Sequence, residues 1–137
     1  MTASPRARYL ADSVTTASPA RLLVLLYDRL VLDLAQAQDA LEAGDRETGS
    51  ARVEHAQDIL IELRATLDLE VWDGAAGLAA LYGFLIAELI RANLRGDAGV
   101  VASCRTLVEP LRDAWRTAAA DTAAASATIS TAAALAG

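Results

Sequence analysis

Lysine is absent from this chain. All twelve basic residues are arginine, set against eighteen Asp and Glu, for a net charge of −6 and a pI of about 4.6. A nucleic-acid binder needs a basic face to neutralise phosphates, and anionic lipid attracts polybasic segments. The charge balance argues against both partners. Cysteine occurs once, at Cys104, which excludes an internal disulfide. Histidine also occurs once, at His55. A di-iron bundle needs Glu-x-x-His pairs projecting from two helices, and one histidine does not supply them. Long apolar runs are missing: the longest strongly apolar stretch, Leu22 to Tyr27, is far too short to span a bilayer. Arg6 and Arg8 are followed by Asp12, Ser13, Thr15 and Thr16, where a signal peptide requires an apolar run. The expectation is a cytoplasmic protein without direct membrane insertion.

What remains is rich in helix formers. The 137 residues suffice for one domain, and 54% are hydrophobic, much of that alanine. Residues 1–17 lack a sustained period and read as an N-terminal arm. Ser18-Pro19 is a helix start, because serine accepts an orphan backbone N–H and proline at the first helical position loses nothing by lacking one. Leu22, Leu26, Leu30, Leu34, Ala37 and Leu41 then recur every three or four residues, with Leu23, Tyr27 and Val31 widening the stripe. Gly44 reads as a helix end and Asp45 as the next cap.

Val53, Ala56, Leu60, Leu63 and Leu67 mark a second helix, whose first turn Gly49 weakens. A connector over 68–77 follows, with Asp73 as the cap of a third helix. Leu78, Leu81, Leu85, Leu89 and Ala92 form the third stripe, and Gly96-Asp97 closes that helix and caps the next. Val101, Cys104, Val108, Leu111, Trp115 and Ala118 form the fourth, with a kink expected at Pro110. Residues 119–137 are an Ala/Thr/Ser tail that either extends the fourth helix or frays. No β-like alternation occurs. The fold class is therefore all-α, an antiparallel four-helix bundle over 18–118 with a short arm before it.

Catalytic chemistry is hard to assemble. His55 lies beside its stripe and reads as a solvated surface side chain. Cys104 lies on a stripe and reads as a buried, inert thiol with no histidine to activate it. No phosphate-cradling glycine loop or dinucleotide fingerprint is present. The acidic residues read as solvated helix faces. No catalysis, metal or cofactor is expected.

Several short segments, in order, carry a resemblance. Tyr9, Asp12-Ser13-Val14 and Thr16-Ala17-Ser18-Pro19 open the series, and Leu-Leu-Val-Leu-Leu-Tyr-Asp-Arg-Leu follows from Leu22 to Leu30. Then come Ala56-Gln57-Asp58-Ile59-Leu60-Ile61-Glu62-Leu63, Leu67-Asp68, Leu81-Tyr82, Ala92-Asn93 and Leu111-Arg112-Asp113-Ala114-Trp115. Together they resemble the FliS family of flagellar export chaperones. Val71-Trp72-Asp73 departs from the family's frequent Gly-Gly, Gly83 stands where an acidic residue is usual, and Pro110 is unexpected.

The resemblance implies a bundle that binds the disordered C-terminal segment of flagellin, prevents its premature polymerisation, and aids delivery to the type III export apparatus through the gate component FlhA. It also implies that the segment around Tyr9, with Leu10 and Val14, covers the groove when flagellin is absent. Tyr27, Ile59, Leu63, Tyr82 and Phe84 are the candidate groove residues. Leu63, squarely on its stripe, is more simply explained as core; Ile59, Tyr82 and Phe84, beside or off theirs, divide evenly between core and binding surface. Two other readings stay open: a bundle holding a small apolar ligand in its core, and a self-associating structural module. Monomer and homodimer are both compatible with the sequence.

Overall fold

The computed structural model describes residues 18–68 and 73–136, with side chains as far as residue 125. The arm, including Tyr9, Leu10 and Val14, lies outside the described residues. Four helices follow one another: α1 (Pro19–Glu42), α2 (Arg46–Thr66), α3 (Ala75–Arg95) and α4 (Ala98–Ala136). Among the described residues there is no strand.

The helix ends follow the cap chemistry in the sequence. The Arg21 N–H donates to Ser18 Oγ at 3.2 Å, the Thr48 N–H to Asp45 Oδ1 at 3.1 Å, and the Val100 N–H to Asp97 Oδ1 at 3.1 Å. Each bond satisfies one of the orphan donors of a first turn. The start of α3 differs from expectation. Gly74, not Asp73, holds its N-cap position and makes no side-chain cap bond, so the helix begins at Ala75, inside the expected connector. The alanines that open it are strong helix formers and carry the initiation without a cap. The tail is helical through Ala136, and α4 runs through Pro110 as one element. Pro110 faces solvent, where water can satisfy the carbonyl its missing N–H leaves unpaired.

The chain divides into two compact units. One spans residues 26–111 and holds a segment of all four helices; this unit is the bundle. The other joins the start of α1, through Leu25, to α4 from Arg112 onward. Within the bundle, Leu41 meets Gly49 and Asp33 meets His55, so α1 and α2 run antiparallel. Arg46 bonds to the carbonyls of Asn93 and Leu94 at 3.3 and 3.5 Å while Arg64 lies beside Gly83, so α2 and α3 do the same. Two glycines make this packing possible. Gly96 adopts φ +64 to end α3, with the Arg46 side chain lying against it. Gly49 is buried, and a β-carbon there would come within 2.5 Å of Leu41 Cδ2; the helix propensity it sacrifices is exchanged for close approach of α1 and α2.

The core of the bundle is built from the stripes, with shifts. On α1 the buried apolar set is Tyr27, Leu30, Val31, Leu34 and Ala37, rotated slightly from the expected one. On α2 it is Val53, Ala56, Ile59, Leu60 and Leu63. On α3, Tyr82 is buried and Leu81 is partly exposed, the reverse of the stripe reading. The buried set recurs every three or four residues from Ala75 to Ala92, and the buried Tyr82 hydroxyl has a partner 55 positions away: it hydrogen-bonds to the Tyr27 hydroxyl at 2.5 Å. Both rings contribute their apolar area to the core because each polar tip has found a partner. Burial, reinforced by the Tyr27 hydroxyl, holds the Tyr82 phenol well above its ordinary ionisation range.

Changing Tyr82 to Phe removes this bond and deprives the Tyr27 hydroxyl of it, at a cost of about 1–2 kcal/mol. The double change Tyr27→Phe/Tyr82→Phe is expected to cost less than the sum of the single changes. Urea unfolding of the four proteins measures the coupling.

Candidate functional site

Helix α3 is apolar around most of its circumference. Its only charged residues are Glu88, Arg91 and Arg95. The inner face packs Ala75, Leu78, Tyr82, Leu85, Leu89 and Ala92 into the core. The outer face leaves Phe84, Ile90 and Leu94 in water, with Leu94 78% exposed. By length and composition alone α3 could cross a membrane, yet it is a bundle helix, and only 33% of its most apolar 18-residue stretch is buried. A helix apolar all round is normally covered all round. Several large apolar side chains on one uncovered helix face, unlike a single exposed leucine, call for an explanation.

The structure sorts the candidate groove residues into two groups. Tyr27, Ile59, Leu63 and Tyr82 are buried, each 7% exposed or less, and belong to the core, not to an exposed groove. Phe84 is 52% exposed and belongs to the outer face of α3. Tyr9, Leu10 and Val14 are outside the described residues. The apolar stripes do not single out Ile90 and Leu94, which share the outer face with Phe84. A signal for that face exists in the sequence, since no charge occurs from Ala75 through Ala87 on any side of the helix, wherever the core stripe is drawn.

Nor does the pattern of stripes reveal a second cluster. Asp33 is fully buried on α1, between Leu30 and Ala37 of the apolar stripe. Its carboxylate accepts from His55 Nδ1 on α2, and Arg29 Nη2 lies 3.1 Å and Arg52 Nη1 3.8 Å from Oδ1. The acidic residues are thus not all solvated, and His55 is exposed on one side only, its other edge held by Asp33. A carboxylate taken out of water needs this company. The arrangement ties α1 to α2. No nucleophile accompanies the pair in these contacts, and among the described residues no three His, Cys, Asp or Glu side chains gather as a metal site.

The Cys104 thiol is buried, and burial first, then the Glu88 carboxylate, push it up to about 11. That keeps it protonated and unreactive. An open cavity of about 490 Å³ lies in the other unit, lined by Ser18, Arg21, Val24, Arg116 and three alanines of α4.

The family model for the flagellar protein FliS matches residues 1–122. The chain belongs to the FliS family. It is 32% identical over 113 residues to the flagellar secretion chaperone FliS of Bacillus subtilis (strain 168), covering 82% of this chain and 84% of that protein. It is 33% identical over 107 residues to FliS of Salmonella typhimurium, covering 77% of this chain and 79% of that protein. A crystal structure of a bacterial flagellar chaperone superposes with a TM-score of 0.70 at 16% identity, over 85% of this chain and 99% of that one, which fixes the shared fold.

Two outcomes follow from the buried polar groups. His55→Ala is expected to destabilise by about 1–2 kcal/mol in the native background and by much less beside Asp33→Asn, because the cost comes from taking one hydrogen-bond partner from a buried carboxylate that keeps Arg29 and Arg52; thermal unfolding of the four proteins reads this. The Cys104 thiol ionises less readily folded than unfolded, so its contribution is intact below about pH 9 and is lost as pH rises toward about 11. The urea midpoint should fall across that window, and fall less in Cys104→Ala.

Proposed function

We propose that this chain binds the disordered C-terminal segment of flagellin in the cytoplasm, keeps it from polymerising before export, and aids its delivery to the type III export apparatus through the gate component FlhA. The observation that carries this reading is the outer face of α3, where Phe84, Ile90 and Leu94 stand in water on a helix with no charge from Ala75 through Ala87. A polymerising subunit exposes apolar helix faces before assembly, and such a face shields them by helix-on-helix packing. Ordering a disordered segment consumes part of the binding energy, which keeps release within reach. Membership in the FliS family supports the choice of client.

In this reading Phe84 contacts flagellin directly. Tyr27, Ile59, Leu63 and Tyr82 hold the surface rigid from below. The arm, through Tyr9, Leu10 and Val14, acts as a displaceable cover when no client is present. The role is that of a stoichiometric binder, without catalysis or cofactor.

Calorimetry with two peptides tests the client. The C-terminal segment of the cognate flagellin is expected to bind at micromolar concentration and the N-terminal segment to stay silent. Phe84→Ala should weaken binding about tenfold or more, as loss of an aromatic anchor does, while leaving the thermal midpoint nearly unchanged because the ring is half in water. Silence from the C-terminal peptide would overturn the reading.

A further inference from the structure

The outer face of α3 carries charge as well as apolar area. Ala76, Ala80, Phe84, Ala87, Ile90 and Leu94 are all exposed, and their spacing of three or four keeps them on one side of the helix. They cover about five turns, roughly 27 Å at 1.5 Å per residue. Small residues, Ala76, Ala80, Gly83 and Ala87, thus alternate with the large Phe84, Ile90 and Leu94 on this side. Small positions among large ones let another helix approach closely.

The rim of this face is basic although the chain is acidic. On α3 itself, Glu88 is the one acid and is held by Arg91 at 2.6 Å. Arg95, exposed at the end of α3, enters no ion pair among the described residues. Arg64 of α2 is likewise exposed and outside every such pair. A β-carbon at Gly83 would lie 3.8 Å from its Nη1, so the guanidinium sits beside Gly83 at this face. Two guanidinium groups without an acidic partner among the described residues therefore mark this face in a protein of net charge −6.

We infer that the outer face of α3 selects an amphipathic helix whose apolar stripe is flanked by carboxylates, which meet Arg64 and Arg95. The inference deepens the flagellin reading and rests on it for the partner's identity, but not for the partner's chemistry. A second copy of this chain is disfavoured, because two such faces would oppose arginine with arginine. Anionic lipid would also welcome the arginines, but the acidic surface of a chain of net charge −6 is repelled by the headgroups.

The test uses the full-length protein and two designed 18-residue peptides. Both carry the same leucine stripe at helical spacing; one has Glu and the other Lys at the flanking positions. Fluorescence anisotropy is expected to show the Glu peptide binding about tenfold tighter than the Lys peptide at low salt, with the preference shrinking as salt rises. Arg64→Gln/Arg95→Gln should abolish the preference, and Arg64→Glu/Arg95→Glu should invert it, with helical circular dichroism and thermal midpoint confirming that each variant folds. Equal affinity for the two peptides, no binding of either, or a preference that survives the arginine changes overturns the inference. So does Arg64- and Arg95-dependent binding to phosphatidylserine vesicles that the Glu peptide fails to displace. The flagellin C-terminal peptide separates the two proposals. If it binds native and Arg-changed proteins alike, the client stands and the charge selection falls. If it is silent while the designed peptides discriminate, the surface chemistry stands and the client falls.

Discussion

A bundle helix has one side turned to its neighbours and one turned to water, and α3 is apolar on both. Its inner stripe, from Ala75 through Tyr82 to Ala92, is consumed by the core. Its outer stripe has nothing among the described residues to cover it. That surplus sets the terms for the neighbours. α2 must hold α3 in place without spreading over its back, and it does so with two arginines: Arg46 caps the last carbonyls of α3 and Arg64 lies against Gly83. The uncovered face remains an open ledge with defined edges.

Two buried polar contacts link the helices of the bundle. The Tyr27–Tyr82 bond fixes α1 to α3. The Asp33 cluster fixes α1 to α2. Each pair is costly to break by halves, because a buried hydroxyl or carboxylate left behind has lost its water.

The client-binding reading draws on the same surplus of apolar surface. A chaperone for an unassembled subunit needs apolar surface that is exposed yet does not drive its own aggregation. Alanine and glycine lower the apolar area per turn along α3, and a net charge of −6 favours solubility.

The four helices follow from the order of residues alone, because a period of three to four and cap residues such as Ser18, Asp45 and Asp97 act within a few positions along the chain. The fold class and the family resemblance were legible for the same reason, since both rest on the order of local patterns. The exact buried face was settled by contacts between distant residues. Tyr82 is core, with its hydroxyl meeting one on α1, while Leu81 is partly exposed, and Asp33 is buried where two arginines and a histidine from α1 and α2 converge on it. Packing also separated Phe84 from Tyr27, Ile59 and Leu63, since all are apolar residues near helical stripes and only the position of the neighbouring helices decides which meets water. Local periodicity states how much apolar surface a helix has; which part stays uncovered depends on what packs against it.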